Sequence, residues 1–501
     1  MSEADVVDFR PPRPTHWLTR TLVLRFLGVV YVAAFATLVF QFEPLLGHNG
    51  LLPVDLYLAS ERAAGRGFWD LPSLFWFHHR DGFMLACAWL GLAGGVAVLV
   101  GATNALVMAA LWALYLSFVH VGQDFYGYGW ELLLLEAGFL AIFLCPLREY
   151  RSFSPRHPPP ALVIWLYRWL AFRVVLGAGL IKVRGDPCWR DLTCLQFHYE
   201  TQPNPHPLSW LLHQMPPAFH TAGVLFNHIV ELLAPMAVLA PRPYRTIAGI
   251  LLVVFQIILI LSGNLSFLNW LTLAVCLSCF DDEPLLRVVP RRFRTRVQAL
   301  IPEKAEAWAK RRYVLGVLAV TIGVLSLNPV VNMLSPRQAM NRSFEPFELV
   351  NTYGAFGSID RERFELVIQG TNDENRAEWK DYEFPCKPVD VMRRPCLVTP
   401  YHYRLDWELW WPFNDRGPRP YLVHLVHKLL VGDPMVRRLL DHDPFGGAPP
   451  RWIRIEQYRY RFTGLGQDGW WRRERVQAYM RPVTRDDPDL LAALRVYGLA
   501  L

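Results

Sequence analysis

The amino-acid sequence predicts a membrane all-α bundle of about nine transmembrane helices, followed by an extracytoplasmic α+β domain. Three observations predict this fold class. Of the 501 residues 52% are hydrophobic and only 19% are charged, which is too apolar for an ordinary soluble protein. The apolar residues form runs of about 20 residues, the length that crosses ~30 Å of hydrocarbon. After residue 334 these runs stop, and charged and aromatic residues become frequent.

The predicted spans delimit a membrane domain over residues 1–334. Residues 1–16 are polar and the apolar run after them is long enough to act as an anchor, so no cleavable signal peptide is expected. Two longer connections, residues 43–82 and 183–221, are predicted to form loops on the outer side. The nine predicted spans are residues 22–42, 83–100, 103–121, 129–146, 161–182, 222–240, 244–262, 264–280 and 313–334.

The basic residues predict the orientation of the spans. With the N-terminus inside, the inner segments contain 16 Lys and Arg residues and the outer loops contain five. Basic residues collect on the cytoplasmic side of membrane proteins, so this excess supports the orientation. An odd number of spans then places residues 335–501 outside. The net charge of +7 therefore reflects membrane topology, and we expect no binding of nucleic acid.

Four of the eight cysteines form two close pairs on the predicted outer side. The pairs are Cys188 with Cys194, in CWRDLTC, and Cys386 with Cys396, in CKPVDVMRRPC. An oxidising compartment allows short-loop bridges, so we expect two disulfides. Zinc binding is the alternative, but neither pair has the short gap of a zinc knuckle, and we expect no metal.

A polar strip at residues 177–205 follows the fifth span and is unusually dense in charged and aromatic side chains. A plain connection between two helices does not need this density. The strip is therefore a reaction centre, a docking surface or a structural plug, and the sequence leaves the three open. Its motif residues are Lys182, Arg184, Asp186, Trp189, Arg190, Asp191, His198, Tyr199 and Glu200.

Lys182 stands at the outer end of the fifth span, directly after GAGLI. A partly desolvated lysine can have a lowered pKa and act as a base or nucleophile. A lysine at a helix end more often extends its charged end to the lipid headgroups, or pairs with a nearby acid such as Asp186. The structural interpretation is favoured, and the catalytic one stays open.

Ionisable and amide side chains also fall inside the predicted spans. A charge at mid-membrane costs about 2.5–3.5 kcal/mol on insertion scales, so we expect Glu136, Arg173 and Glu231 to face the bundle interior and pair. A buried Arg–Glu bridge is favoured over a proton relay or a polar cavity wall. His228 and Glu231 share a helix face, but two ligands do not make a metal site. The intramembrane polar set is Glu136, Arg173, His228, Glu231, Asn264 and Asn269.

Residues 335–501 predict an α+β domain of about 160 residues, large enough for its own core. Apolar and polar residues alternate around residues 364–368, as in a strand. A second strand covers residues 453–462, where the alternation slips at residues 456–457 as in a bulge, and residues 470–480 are its expected partner. Helices are predicted at residues 421–431, 434–440 and 489–497.

Tryptophans are frequent in this domain. Aromatic residues dominate protein-binding surfaces, but a packed core explains the tryptophans as well, and core packing is favoured. The clusters are Trp407, Trp410 and Trp411, and Trp470 with Trp471. The chain has no Walker loop, no GxSxG elbow and no dinucleotide fingerprint after a strand, so no cofactor is predicted.

Several long motifs resemble the lipase maturation factor family. They are GAGLIKVRGDPCWRDLTCLQFHYETQPNPHPLSWLLH, NHIVELLAPM and SGNLSFLNWLTLAVCLSCFDD in the membrane domain, and NTYGAFGSIDRERFELVIQGT and YHYRLDWELWW in the outer domain. The resemblance implies a multi-pass, chaperone-like membrane protein that assists the folding and assembly of secreted lipases or other secreted hydrolases. It further implies that the outer domain engages the client and that the protein is not an enzyme.

The resemblance also bears on location. In animals the family resides in the membrane of the endoplasmic reticulum. This chain uses 45 arginines and 6 lysines, which is typical of a GC-rich bacterial genome. We therefore expect the bacterial inner membrane for a bacterial source and the endoplasmic reticulum for a eukaryotic one.

A fainter resemblance concerns residues 178–182, AGLIK. In vitamin K-dependent carboxylase a lysine after a similar segment acts in catalysis. The resemblance implies an alternative in which the chain is an intramembrane enzyme, with Lys182 as base and Arg173 and Glu231 lining a cavity. Replacement of Lys182 by alanine should abolish function in this alternative and leave a maturation factor nearly unaffected.

Overall fold

The computed structural model describes residues 15–151, 153–302, 311–410 and 418–499. The described chain is mostly helical, with a small sheet near its C-terminal end. Trp411 of the predicted tryptophan cluster lies outside the described residues. The predicted division at residue 334 stays a prediction.

In the part of the chain that the structure describes, seventeen α-helices precede the first strand. A π-helical turn, Ile229–Leu233, joins the tenth helix to the eleventh, and short 3-10 turns occur at Leu74–Trp76, Gln123–Tyr126 and Leu277–Cys279. The helices are α1 (Trp17–Leu46), α2 (Val54–Ala63), α3 (Asp81–Val100), α4 (Ala105–Val121), α5 (Gly129–Leu144), α6 (Ala161–Arg184), α7 (Pro187–Arg190), α8 (Leu195–Thr201), α9 (Pro207–His213), α10 (Pro217–His228), α11 (Ala234–Val238), α12 (Arg242–Ser262), α13 (Leu268–Cys276), α14 (Asp282–Val288), α15 (Arg291–Leu300), α16 (Arg311–Leu325) and α17 (Leu327–Leu334).

Six described helical segments are long and apolar enough to cross a membrane. They are Trp17–Leu46, Asp81–Val100, Ala161–Arg184, Pro217–Val238, Arg242–Ser262 and Arg311–Leu334. The count of nine predicted spans is not confirmed. The other three predicted spans correspond to shorter helices, because α4 has 17 residues, α5 has 16 and α13 has 9.

The bundle is centred on α1 and α6. In each of these helices 67% of the most apolar window is buried, against 22% in Arg311–Leu334, which lies at the periphery. α1 packs along α3 at very short range. A Cβ atom added at Gly28 would lie 2.5 Å from the backbone nitrogen of Leu99, so only glycine allows this approach. Small residues at helix contacts are the usual means of close packing within a bilayer.

The described part of the C-terminal region contains a two-stranded sheet, a four-stranded antiparallel sheet and four helices. β1 (Arg342–Ser343) pairs with β2 (Asn351–Thr352), and the main sheet has the order β4-β3-β5-β6. The elements after β2 are β3 (Arg363–Thr371), β4 (Lys380–Asp381), α18 (Arg404–Glu408), α19 (Pro420–Leu430), α20 (Pro434–Arg437), β5 (Trp452–Phe462), β6 (Trp471–Val483) and α21 (Pro488–Val496).

This arrangement confirms the predicted strands. β5 pairs with β6, and the register shifts on both sides of residues 456–457, where the sequence predicted a bulge. The three predicted helices correspond to α19, α20 and α21, although α20 ends at Arg437, three residues early. β6 lies at the edge of the sheet, and its side chains from Arg472 to Ala478 are exposed.

The C-terminal region packs directly on one end of the helix bundle. α19 is buried from Tyr421 to Leu430, and Nδ1 of its His424 lies 2.8 Å from the carbonyl oxygen of Leu51 in the loop after α1. Gln41 at the end of α1 donates to the carbonyl of His402 at 2.7 Å. The end of the bundle that carries residues 43–82 and 183–221 is therefore covered by the sheet domain.

Candidate functional site

The polar strip at residues 177–205 turns the chain sharply at the end of α6. Asp186 caps α7, its carboxylate accepting from the amide of Cys188 at 2.9 Å. Side-chain acceptors of this kind satisfy the free amides at a helix start. Cys188 and Cys194 form a disulfide with a Cα–Cα distance of 4.8 Å, and α8 begins directly after it. The predicted bridge thus holds two short helices together.

Lys182 is buried and fully engaged. Its Nζ atom lies 2.6 Å from each carboxylate oxygen of Glu231 and 3.2 Å from Oδ1 of Asn227, and only 5% of the residue is exposed. Asn227 also donates to Glu231 at 3.0 Å. The expectation that Lys182 reaches the headgroups or pairs with Asp186 is wrong. Lys182 pairs instead with Glu231, which lies on the π-helical turn after α10. This carboxylate compensates the lysine charge inside the bundle.

Aromatic rings enclose this ion pair. Nζ of Lys182 lies 5.1 Å from the ring centre of Trp189, whose indole donates to the carbonyl of Phe356 at 2.9 Å. Nε2 of His228 lies 2.9 Å from the carbonyl oxygen of Trp189. His198 is buried beside Phe356, and burial together with the charge of Lys182 lowers the pKa of His198 to about 4. His198 is therefore neutral at physiological pH.

Asp186 makes its ion pair with the C-terminal region. Its carboxylate lies 2.8 Å from Arg361 and accepts from the amide of Ile359 at 3.2 Å, while its own amide donates to Gly357 at 2.8 Å. Arg184 donates to Gln338 at 2.8 Å. The charged residues at the start of the strip thus bind residues 338–361 and do not point into solvent.

Of the two remaining residues of the strip, Arg190 closes the turn. Arg190 donates to the carbonyl oxygen of Val183 at 2.9 Å, which ties α7 back to the end of α6. Asp191 is exposed and takes no part in the buried contacts described for its neighbours.

The second half of the strip binds the sheet. The carboxylate of Glu200 accepts from the amide of Phe462, the last residue of β5, at 2.6 Å. Arg363 of β3 donates to the carbonyls of Glu200 and Pro203 at 3.1 and 2.9 Å. Tyr199 is buried against His220, with ring centres 5.8 Å apart. The strip is therefore a seam between the helix bundle and the sheet domain.

A second buried group joins the domains deeper in the bundle. Arg173 forms an ion pair with Glu136 and donates to the carbonyl of Asn351 at 2.8 Å. Glu136 accepts from the amide of Asn351 at 3.0 Å and from the hydroxyl of Tyr353 at 2.8 Å. The sequence pattern pointed to Arg173 and Glu136, but it gave no sign that the NTYG segment completes the group.

A third buried group pairs a carboxylate inside a predicted span with a residue that the sequence did not indicate. Glu131 of α5 and Arg404 of α18 are both fully buried and lie 2.5 Å apart. Arg404 also donates to the carbonyl of Phe125 at 2.7 Å and stacks on Tyr126, while Tyr115 donates to Glu131. The carboxylate of Glu131 lies in the fourth predicted span, but no local pattern indicated Arg404 as its partner.

The second disulfide sits where the bundle meets the sheet domain. Cys386 and Cys396 are bonded, with a Cα–Cα distance of 5.4 Å. Asn264, in the turn after α12, donates to the carbonyl of Cys396 at 2.8 Å and accepts from the amide of Val398 at 3.0 Å. Asn264 is thus a domain link at the bundle end. Asn269 instead donates to Gln256 of α12 at 2.9 Å, within the bundle.

A buried charge cluster lies beside this disulfide. Glu365 of β3 contacts both Arg363 and Lys387, and all three side chains are at most 2% exposed. Asp406 accepts from the amide of Cys386 at 2.5 Å. Burial raises the pKa of Asp406 to about 7, against the opposing effects of that hydrogen bond and of Lys387.

The tryptophan clusters are packed at the seam. Trp407 is buried with its ring 5.0 Å from that of Trp130, and Trp471 is buried against Phe462. Trp410 donates to the carbonyl of Thr201 at 3.0 Å, and Trp470 packs on Trp210. These four side chains contribute to internal packing.

The contacts at the seam hold the helix bundle and the sheet domain together. Lys182, Arg173 and Arg404 are each paired with a buried carboxylate. Each also donates to a backbone or amide oxygen, that of Asn227, Asn351 or Phe125. Among the described residues no group of three or more His, Cys, Asp or Glu side chains is placed to hold a metal ion. The seam therefore combines two disulfides, several buried ion pairs and packed aromatic rings.

Comparison with known proteins identifies relatives over nearly the whole chain. A family model described as lipase maturation factor transmembrane domain matches residues 18–287, and one described as lipase maturation factor C-terminal domain matches residues 349–481. Lipase maturation factor 1 of Bos taurus is 46% identical over 94% of this chain and 90% of its own length. The protein of that name from Homo sapiens is 43% identical over 94% and 89%. Lipase maturation factor 2 of Gallus gallus is 30% identical over 98% and 84%, and no solved structure matches.

Proposed function

The chain belongs to the lipase maturation factor family, and we propose that it is a membrane-embedded, chaperone-like maturation factor for secreted lipases or related secreted hydrolases. The observation that carries the proposal is the identity of 46% with a lipase maturation factor across 94% of the chain. The match includes both domains, so the proposed role extends to the whole molecule and not to a single module.

We further propose that the chain crosses the membrane nine times and that its C-terminal domain is extracytoplasmic. The excess of basic residues on one side supports this orientation. So do the two disulfides, since both lie at the bundle end covered by the sheet domain and such bonds persist in oxidising compartments. The membrane is the endoplasmic reticulum in a eukaryotic source and the inner membrane in a bacterial one.

We propose that the client binds the C-terminal domain at the exposed edge strand β6. The tryptophans of the C-terminal motifs are not needed for this role, because they are packed at the seam. An edge strand offers free backbone donors and acceptors to an extended segment of another protein. Val476 is 46% exposed in the middle of β6 and provides an apolar contact there.

A deletion of the C-terminal domain would test client binding poorly. Arg404 would no longer pair with Glu131, and Asn351 would no longer bind Arg173 and Glu136. A carboxylate left buried without its partner costs about 3–5 kcal/mol, so the membrane domain itself would be destabilised. Point substitutions on the exposed surface avoid this problem.

The test is a matched pair of substitutions in the full-length chain, co-expressed with a secreted lipase. Val476→Glu places a charge on the proposed docking strand, whereas Val496→Glu places the same charge on α21, where the side chain is 82% exposed. We expect Val476→Glu to lower the secreted lipase activity per lipase molecule several-fold and to reduce co-purification with the lipase. Val496→Glu should behave as wild type.

Two results would contradict the proposal at different levels. Equal lipase activity with and without the chain would reject the maturation role. Equal activity of both variants and the wild type, with a strong dependence on the chain itself, would reject β6 as the docking strand and leave the maturation role standing.

We also propose that the role requires no catalytic Lys182. The support is its environment, since Nζ contacts both oxygens of Glu231 and the amide of Asn227 and lies over Trp189. A base or nucleophile needs a free amine with space for a substrate. The alanine substitution expected to distinguish the two functions would leave Glu231 buried and unpaired, so a different variant is needed.

A further inference from the structure

Helix α15 is unlike every other described helix, because it buries none of its side chains. It has 10 residues, RRFRTRVQAL. The side chains of Phe293 and Leu300 are 45% and 52% exposed. Exposed apolar side chains grouped on one helix are typical of a surface that contacts another molecule.

The residues of α15 are arranged on two faces. Phe293, Val297 and Leu300 are spaced by four and three residues, so they form one apolar stripe. Arg294 and Arg296 fall on either side of this stripe, at 100° per residue. The opposite face carries Arg291, Arg292 and polar or small residues. A basic helix with one apolar face is typical of helices that lie in a membrane interface.

The position of α15 in the fold brings it to a membrane surface. The preceding helix, α14, is fixed to the bundle because Asp282 accepts from the amides of Trp17 and Leu18 at 3.0 and 2.8 Å. These amides are at the first residues of α1, so α14 marks the end of the bundle opposite the sheet domain. The next candidate span begins at Arg311, which contacts the segment 157–158, as does Arg20 near the start of α1. Both ends of the connection therefore lie at the same end of the bundle.

The charge of the segment indicates the kind of surface. Five arginines occur between residues 287 and 296, and the guanidinium groups of three of them contact other groups of the protein. Arg287 pairs with Glu283 at 2.5 Å, Arg294 donates to the carbonyl of Arg287 at 2.9 Å, and Arg292 stacks on Phe293. Glu283 is the nearest described acid of this segment and is also 2.6 Å from Arg242. The segment remains strongly basic.

We propose that α15 lies flat on the inner surface of the membrane and binds anionic phospholipids. Phe293, Val297 and Leu300 enter the boundary between headgroups and acyl chains. Arg294 and Arg296 flank this stripe and bind the phosphate groups of neighbouring lipids, since long basic side chains extend to the headgroups while their stems cover apolar surface. A site for free inorganic phosphate would not need the apolar stripe. An anionic lipid surface accounts for both the stripe and the arginines that flank it.

The experiment measures hydrogen–deuterium exchange of the full-length chain in lipid nanodiscs. One sample contains phosphatidylcholine alone, and the other contains phosphatidylcholine with one third phosphatidylglycerol. We expect amides of residues 291–300 to exchange several-fold more slowly in the anionic nanodiscs, because lipid binding stabilises the helix. Adding inorganic phosphate to the phosphatidylcholine sample should not reproduce the protection.

Variants separate the two parts of the proposal. The double variant Arg294→Gln/Arg296→Gln should lose the dependence on phosphatidylglycerol, and Phe293→Ser/Leu300→Ser should exchange rapidly in both lipids. The matched control, Arg472→Gln/Arg485→Gln, removes two exposed arginines of the C-terminal domain and should keep the wild-type difference. Identical exchange of wild-type α15 in the two lipids would overturn the proposal, as would full protection by phosphate or by an added acidic protein in phosphatidylcholine alone.

Discussion

Three arginines attach the C-terminal domain to the helix bundle, and each contacts several oxygens at once. Arg404 binds Glu131 and the carbonyl of Phe125, Arg173 binds Glu136 and the carbonyl of Asn351, and Arg363 binds carbonyls of the polar strip. The planar guanidinium has five donors and is always charged, which suits buried contacts of this kind. A lysine could not replace these contacts one for one.

The sequence could predict that such partners exist but not which residues they are. A carboxylate within a span has to be compensated, and this identifies Glu131, Glu136 and Glu231 as members of buried pairs. The partner of Glu131 lies 273 residues away, and the backbone partner of Arg173 lies 178 residues away. No local sequence pattern relates residues so far apart, so these partners could be identified only from the three-dimensional structure.

The pair of Lys182 and Glu231 provides a prediction at the level of single residues. Lys182→Met leaves Glu231 buried without its cation, and we expect a loss of about 3–5 kcal/mol of stability together with low expression. The double variant Lys182→Met/Glu231→Gln removes both charges and keeps an amide to accept from Asn227. It should recover most of the thermal stability in detergent, and with it the secreted lipase activity of a co-expressed client.

The same double variant distinguishes attachment from catalysis. If it is as stable as wild type but lipase activity is lost, Lys182 has a role beyond its ion pair and the enzymatic alternative is supported. If stability stays low in the double variant, the local fold depends on the charges themselves.

At the scale of helices and strands, hydrophobic periodicity predicted the strands, but it did not reveal a local change of helix geometry. The alternation of residues 364–368 and 453–462 predicted both strands and even the bulge in the second. The predicted helix over 222–240 conceals a π-helical turn at Ile229–Leu233, which has no sequence signature of its own. This turn carries Glu231 to Lys182, and π-turns often occur at such specialised positions.

The count of spans depends on a feature that hydropathy does not measure. α4, α5 and α13 are apolar but short, and α5 lies against the C-terminal region, where Glu131 and Glu136 contact α18 and the NTYG segment. A helix whose end is covered by protein does not need 20 residues to satisfy a bilayer. Length alone is therefore a poor criterion for the helices at this seam.

Gly185 directly follows α6 and lies where this helix meets the C-terminal region. This contact provides a prediction. A Cβ atom there would lie 2.2 Å from the carbonyl oxygen of Gly357, and a backbone atom cannot move aside cheaply. We expect Gly185→Ala to lower the stability of the protein by about 1–3 kcal/mol, as overpacking does in other cores. The measurement is the thermal unfolding temperature in detergent.

Gly316→Ala is the matched control for this prediction. Gly316 lies in α16, and no atom would come within 4 Å of an added Cβ. Alanine also favours a helix over glycine, so this variant should be as stable as wild type or slightly more so. If Gly185→Ala unfolded at the same temperature as Gly316→Ala, the close approach of the two domains at Gly185 would be wrong.

At the scale of the whole molecule, the two domains share a continuous buried seam. The seam contains two disulfides, buried ion pairs and aromatic rings in edge-to-face contact, such as those of Trp130 and Trp407. Such an interface resembles a protein core more than a flexible contact between domains. A maturation factor built in this way would present its exposed sheet edge at a fixed height above the membrane.

The orientation of the molecule is the last prediction, and two equally exposed residues test it. Val288, after the basic inner end of the bundle, is 81% exposed, and Val496 in the C-terminal domain is 82% exposed. The free cysteines Cys87, Cys145, Cys276 and Cys279 are buried, so their background labelling should be low. In intact cells or sealed vesicles of known sidedness, a membrane-impermeant maleimide should label Val496→Cys from the extracytoplasmic side and Val288→Cys only after permeabilisation. The reverse pattern would place both disulfides in the reducing compartment, and the client-binding role of the sheet domain would then have no access to a secreted lipase.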